Sequence, residues 1–177
     1  RAHGVEWLLS NRTIGLAPPC WFDYFRLLEL LCRRYDFVLV DLPELVNPAS
    51  LEFVRRSSRV YAVCTPELLS LRLCTQRIEE LRYWSVPDDR ISLVVNRWHA
   101  DDLEPDRIAE TAGRPVAQVL PNDYSGAKTA VTEGRAVSPD TRLGQAYKQF
   151  ACGIAGEDFT PAPQKLSDRL KSVFARG

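Results

Sequence analysis

The chain has 177 residues, 45% of them apolar and 26% charged, which is enough for one domain with a core of its own. Its 23 basic residues balance its 23 acidic residues, and this zero net charge argues against binding nucleic acid through bulk positive charge. No apolar run approaches the roughly 20 residues of a membrane-spanning helix.

The first third of the chain predicts two strands and two helices. Residues 5–9 are a short apolar run that is compatible with a strand. Apolar residues recur with a helical period over 21–33, after a Pro-Pro pair, and predict a helix. The continuous apolar run 37–40 ends at Asp41 and predicts a strand buried on both faces. A short helix is predicted over 51–56.

In the remainder, apolar runs alternate with segments of helical period. Strands are predicted at 60–64, 91–95 and 116–120, and helices at 68–83, 106–112, 125–132 and 143–153. Gly113 is the expected stop of the second of these helices. Strands that alternate with helices predict βαβ units, and therefore an α/β fold with three α/β/α layers around a mostly parallel sheet.

The C-terminal segment has a different composition. We expect the α/β domain to span 1–155, a Pro-rich linker to cover 156–164, and a basic tail to follow at 165–177. The tail places four apolar residues on one helical face: Leu166, Leu170, Val173 and Phe174. Such a helix suits a membrane-surface anchor or a partner-docking helix, and equally a helix that packs back on the domain or a disordered end.

The five cysteines are odd in number and form no Cys-x-x-Cys pair. They predict reduced, mostly buried thiols and a cytoplasmic protein. The two histidines, His3 and His99, have no metal-ligand spacing to any cysteine pair, which argues against a zinc site.

Polar residues follow the predicted strands, where ligands of parallel sheets bind. They are Asp41, Thr65-Pro66-Glu67, Asn96-Arg97 and Pro121-Asn122-Asp123. Asp41 suits a Mg²⁺ site, but also an ordinary turn or helix cap. Asn96 can match the edge of a nucleotide base, but also its own turn backbone. Asn122 or Asp123 can cap the next helix, which is compatible with a place in the same crevice.

The order and spacing of four segments resemble the C-terminal two-thirds of MinD/ParA-type P-loop ATPases. The segments are YDFVLVDLP at 35–43, TPELLSLR at 65–72, PDDRISLVVNR at 87–97 and LPND at 120–123. Within that group the chain looks most like the CpaE-like localisation factors of tight-adherence (Flp) pilus systems. The resemblance runs from about residue 5 to about residue 151, and its second and fourth segments are the more specific.

The resemblance implies ATP and Mg²⁺ as cofactors. Asp41 would be the Walker B-like catalytic aspartate, acting on Mg²⁺ through water, and Asn96 and Arg97 would border the adenine. Pro121, Asn122 and Asp123 would cover the other side of the base or the ribose. Such proteins form homodimers around two ATP molecules and choose pilus or secretion partners by nucleotide state. The tail resembles the membrane-targeting helix of MinD-type ATPases, which implies peripheral contact with the inner face of the plasma membrane.

The chain departs from this family in its phosphate-binding loop. Gly4 and Gly15 are isolated, and no Gly-Lys-Ser/Thr occurs. The strand that carries this loop lies mid-sheet in the family and is also missing. Either an N-terminal segment precedes this chain, which the absence of an initiator favours, or the protein is a pseudo-ATPase that serves as a docking module. A ParA-like DNA-binding role is disfavoured by the zero net charge.

Overall fold

The computed structural model describes residues 5–9, 20–43 and 47–159. They belong to two compact units, one within residues 1–57 and the other within 58–177. Each unit is described by itself below. The predicted linker beyond residue 159 and the tail, with Leu166, Leu170, Val173 and Phe174, lie outside the described residues.

The first unit holds two helices, α1 (Trp21–Arg34) and α2 (Pro48–Arg56), which pack against each other. Asn47 caps α2 by accepting a hydrogen bond from the Ser50 backbone N–H at 2.9 Å. Between the helices, the rings of Tyr24 and Phe53 meet edge to face with 5.7 Å between centroids. Both helices confirm the sequence prediction, extended by one to three residues.

The strand predicted at 37–40 is not formed. These residues have irregular backbone, and the Leu39 side chain is 81% exposed. Residues 5–9 form only an isolated bridge at Val5. The prediction is wrong here because a strand exists only through hydrogen bonds to a neighbouring strand. No described residue supplies such a neighbour to 37–40.

The second unit contains a three-stranded parallel sheet in the order β1-β2-β3, which confirms the predicted fold class. The strands are β1 (Val60–Cys64), β2 (Ile91–Trp98) and β3 (Val116–Pro121). The helices are α3 (Leu68–Tyr83), α4 (Pro105–Ala112), α5 (Tyr124–Thr132) and α6 (Arg142–Ala155). Gly113 ends α4 in the left-handed conformation at φ +62°, as predicted.

Helices cover both faces of this sheet. On one face Val94 of β2 packs with Leu120 of β3 and Leu143 of α6. Leu93 and Val95 alternate with Val94 and therefore point to the other face, where both are fully buried. On that face α3 packs on β1 and α4 packs on β3. The second unit is thus a small α/β/α sandwich.

All five cysteines are free thiols, and only some of them are buried as predicted. Cys64 of β1 and Cys74 of α3 are buried, whereas Cys20 and Cys32 in the first unit are exposed. The buried pair share a hydrogen bond, which lowers the pKa of the Cys64 thiol and raises that of Cys74. In the described parts of the chain, no helix has the length and hydropathy needed to cross a membrane.

Candidate functional site

The carboxyl ends of β2 and β3 bring together the five predicted nucleotide-binding residues. Trp98 of β2 pairs with Pro121 of β3, and the Asn122 backbone N–H donates to the Trp98 carbonyl at 2.9 Å. Asn96 and Arg97 therefore lie on the strand adjacent to the Pro121-Asn122-Asp123 segment. The sequence prediction ended β2 at Val95, but the strand continues through Trp98, so Asn96 and Arg97 are part of the sheet edge.

The backbone at Arg97 is held in an unusual conformation. Its φ is +56°, in the left-handed region that residues with a side chain rarely adopt. The β2–β3 register shifts between Val95 and Trp98, as expected for a bulge. Bulges commonly re-aim side chains next to functional sites. Here the irregularity coincides with the exposed Arg97.

Asn96 uses part of its side chain locally. Its Oδ1 accepts a hydrogen bond from the Arg97 N–H at 3.0 Å, which is the turn-satisfying role considered for it. The half-buried amide keeps its NH₂ group and a second lone pair on Oδ1 without a partner among the described residues. That donor and acceptor pair is what the edge of a purine base requires.

Asp123 is the N-cap of α5. Its Oδ1 accepts from the Gly126 N–H at 2.9 Å, so the capping alternative holds for this carboxylate. The neighbouring Asn122 side chain is exposed, and no hydrogen bond from it to a described residue is present. Asn122 is therefore a polar side chain of this loop that is available to a ligand, and Asp123 keeps its Oδ2 beside the cap.

Glu67, beyond the end of β1, joins the same edge; the sequence placed it after a strand but assigned it no role in binding. A hydrogen bond from the Thr65 hydroxyl lowers the pKa of the Glu67 carboxyl, aided by its own backbone N–H and by the charge of Arg97. The carboxylate thus lies within electrostatic reach of Arg97.

Asp41 lies in the first unit, where its side chain is exposed and follows the irregular segment 37–40. Its proposed Mg²⁺ role stays a prediction. No cluster of three or more His, Cys, Asp or Glu side chains that could hold a metal occurs among the described residues. The prediction requires only one carboxylate, acting through water.

The edge formed by Glu67, Asn96, Arg97 and Asn122 is equipped for binding. Its polar groups are the side-chain amides of Asn96 and Asn122, the guanidinium of Arg97 and the carboxylate of Glu67.

Two curated relatives match the sequence at low identity. The chain is 25% identical over 168 residues to the septum site-determining protein MinD of Thermotoga maritima, covering 87% of this chain and 62% of that protein. It is 26% identical over 140 residues to a putative MinD of Emiliania huxleyi, covering 74% and 50%. The chain therefore spans less than two-thirds of the length of these relatives. No family model matches it.

Solved structures show the fold more clearly. The MinD cell division protein of Aquifex aeolicus superposes with a TM-score of 0.68 at 18% identity, over 81% of this chain and 64% of that one. A ParA family ATPase of Chlorobium tepidum gives 0.64 at 22% identity, over 72% and 53%. MinD of Pyrococcus horikoshii, complexed with Mg-ADP, gives 0.63 at 19% identity, over 76% and 56%. The chain has the fold of the MinD/ParA-type P-loop ATPases.

Proposed function

We propose that this chain is the base-binding part of a MinD/ParA-type, ATPase-like protein. The observation that carries the proposal is the adjacency of Asn96 and Arg97 on β2 to the Pro121–Asp123 segment of β3 at the carboxyl edge of the sheet. In open parallel sheets this edge is where nucleotides bind. Asn96 would donate and accept at the adenine edge, and Asn122 would approach the base or ribose from the next strand.

The residues of this edge suit the base of ATP, but the sequence has no loop that would bind the phosphates. The 177 residues contain no Gly-Lys-Ser/Thr sequence, so an active ATPase of this kind would need a phosphate-binding loop from outside this sequence. Mg²⁺, when bound, would neutralise charge on the phosphates, and Asp41 would hold it through water.

We further propose a CpaE-like role in organising pilus or secretion machinery in the cytoplasm. A homodimer with two bound ATP molecules would select its partners. Support for partner binding is indirect: a structural neighbour of this chain is MinD in complex with MinC, from Aquifex aeolicus, at a TM-score of 0.67. The tail with Leu166, Leu170, Val173 and Phe174 would place the dimer at the membrane surface, where two weak anchors act together.

The alternative is a pseudo-ATPase that acts only as a docking module. The missing Gly-Lys-Ser/Thr sequence is the observation that favours it. Both proposals use the same fold, and they differ in whether the edge at Asn96 binds a nucleotide.

Calorimetry separates the two. Mg-ATP and adenosine are titrated into this chain and into the intact gene product. The ATPase proposal expects tight Mg-ATP binding by the intact protein. It expects about tenfold weaker binding after Asn96→Ala, a loss of about 1.4 kcal/mol. The matched control is Gln76→Ala, which removes an exposed amide from α3. Absence of binding by either protein would leave the docking module as the function.

A further inference from the structure

A cavity lies at the opposite edge of the sheet, beside the amino ends of the strands. Its volume is about 340 Å³, at the small end of the range for ligand pockets. Its lining includes Arg59 just before β1, Ser92 near the start of β2, and Gln118 near the start of β3. The second half of α6 and the residues after it close one side. None of the residues of the proposed nucleotide edge lines this cavity.

The floor of the cavity is polar although it is buried. Ser92 and Gln118 are each only 8% exposed. The Gln118 Nε2 donates to the Val119 carbonyl at 2.9 Å, whereas its Oε1 has no partner among the described residues. The Ser92 hydroxyl likewise makes no hydrogen bond within the described part of the chain. Neither oxygen is sealed from solvent, so both can form hydrogen bonds with water or with a ligand in the cavity.

The rim carries opposite charges. Arg59 and Glu157 both line the cavity, both are exposed, and neither forms an ion pair with a described residue. Two aromatic side chains also line the cavity. The Phe150 ring meets the Tyr61 ring edge to face, with 4.9 Å between their centroids. A ligand that satisfies this lining has a positive group, a negative group and a polar, uncharged end.

We infer that this cavity binds a free amino acid with an amide side chain. Arg59 takes the α-carboxylate, Glu157 takes the α-ammonium group, and the buried Ser92 hydroxyl and Gln118 carbonyl take the side-chain amide. The inference is independent of the nucleotide proposal, because it uses a different edge of the sheet and different residues.

L-Glutamine is the probe. It is titrated into the ¹⁵N-labelled chain to millimolar concentration, and backbone amide shifts are followed by NMR. We expect saturable shifts at Ser92 and Gln118 and at other residues that line the cavity. Arg59→Ala should weaken binding about tenfold, because it removes a charge-assisted contact at the rim without disturbing the core. Arg107→Ala, which removes an exposed arginine from α4, should leave the affinity unchanged.

A second ligand tests the chemistry without a change in the protein. N-Acetyl-L-glutamine keeps the carboxylate and the amide but lacks the ammonium group, so it should bind about tenfold more weakly if Glu157 acts as proposed. Saturable shifts with equal affinity for both ligands would overturn the assigned contacts. Absence of saturable shifts with L-glutamine would overturn the site itself.

Discussion

The carboxylate of Asp88 forms ion pairs with two arginines of the second unit. Its carboxylate receives a hydrogen bond from the Arg82 Nε at 3.0 Å and forms an ion pair with Arg114, whose side chain is only 10% exposed. The Arg114 guanidinium, and after it that of Arg82, holds the pKa of the Asp88 carboxyl below its usual value. Without this carboxylate a nearly buried guanidinium would lose its counter-charge.

We therefore expect Asp88→Asn to lower the melting temperature at neutral pH. Because the folded-state pKa of Asp88 is depressed, its stabilisation is present above the unfolded pKa of about 3.9 and disappears as the pH falls through the folded value. The difference in melting temperature between wild type and Asp88→Asn should thus become smaller below about pH 4. Thermal melts across pH measure it, with the exposed neighbour Asp89 as the Asp89→Asn control. An equal difference at pH 3 and pH 7 would contradict the ion-pair explanation.

Gly126 is required for the cap of α5. A Cβ at this position would lie 2.8 Å from the Asp123 Cγ, so a side chain would push the capping carboxylate away. Gly126→Ala should lower the free energy of unfolding by up to about 1 kcal/mol, because the lost cap outweighs the gain in helix propensity from alanine. The control is Gly153→Ala in α6, where nothing lies within 4 Å of the added Cβ. It should gain about 0.5–1 kcal/mol from helix propensity. Urea denaturation of both variants gives the comparison.

At the scale of elements, β2 is the centre of the core. Leu93 is fully buried between the sheet and its helices, whereas Leu69 on α3 is 69% exposed. Leu93→Ala should destabilise the protein by about 2–5 kcal/mol through lost burial and a cavity, and Leu69→Ala by about 0.5 kcal/mol or less. Equal losses in urea denaturation would show that Leu93 is not in a packed core.

The elements that the sequence predicts well carry local signals. The apolar run of β1, the period of α3 and the stop at Gly113 all act within a few residues. The strand predicted at 37–40 is not formed, because no described residue pairs with this segment. The extension of β2 to Trp98 was missed for a related reason, since it depends on pairing with Pro121 of β3.

For the candidate site, the sequence predicts which residues lie at the edge but not the local geometry there. Strand order places Asn96, Arg97 and Asn122 at one edge, because carboxyl ends of parallel strands lie together. The φ of Arg97 and the proximity of Glu67 to its charge arise from the β2 bulge and from a loop that belongs to another strand. Neither is encoded in a local pattern.

At the scale of the whole molecule, the two units differ in what they can do alone. The second unit has a sheet, both of its helical layers and most of the buried apolar residues. We expect residues 58–159 to fold by themselves and to unfold in one cooperative transition. Circular dichroism and NMR of this fragment test the prediction. A fragment with dispersed amide signals supports it, and a collapsed spectrum without dispersion contradicts it.

The order of the three strands has a kinetic consequence. Each strand of the sheet pairs with the strand that precedes or follows it in the chain, so every crossover is short and contact order within the unit stays low for a parallel sheet. Folding need not wait for distant parts of the chain: β2 can dock on β1 as soon as α3 has formed, and β3 on β2 after α4. During synthesis this part of the sheet would assemble in the direction in which the ribosome delivers it.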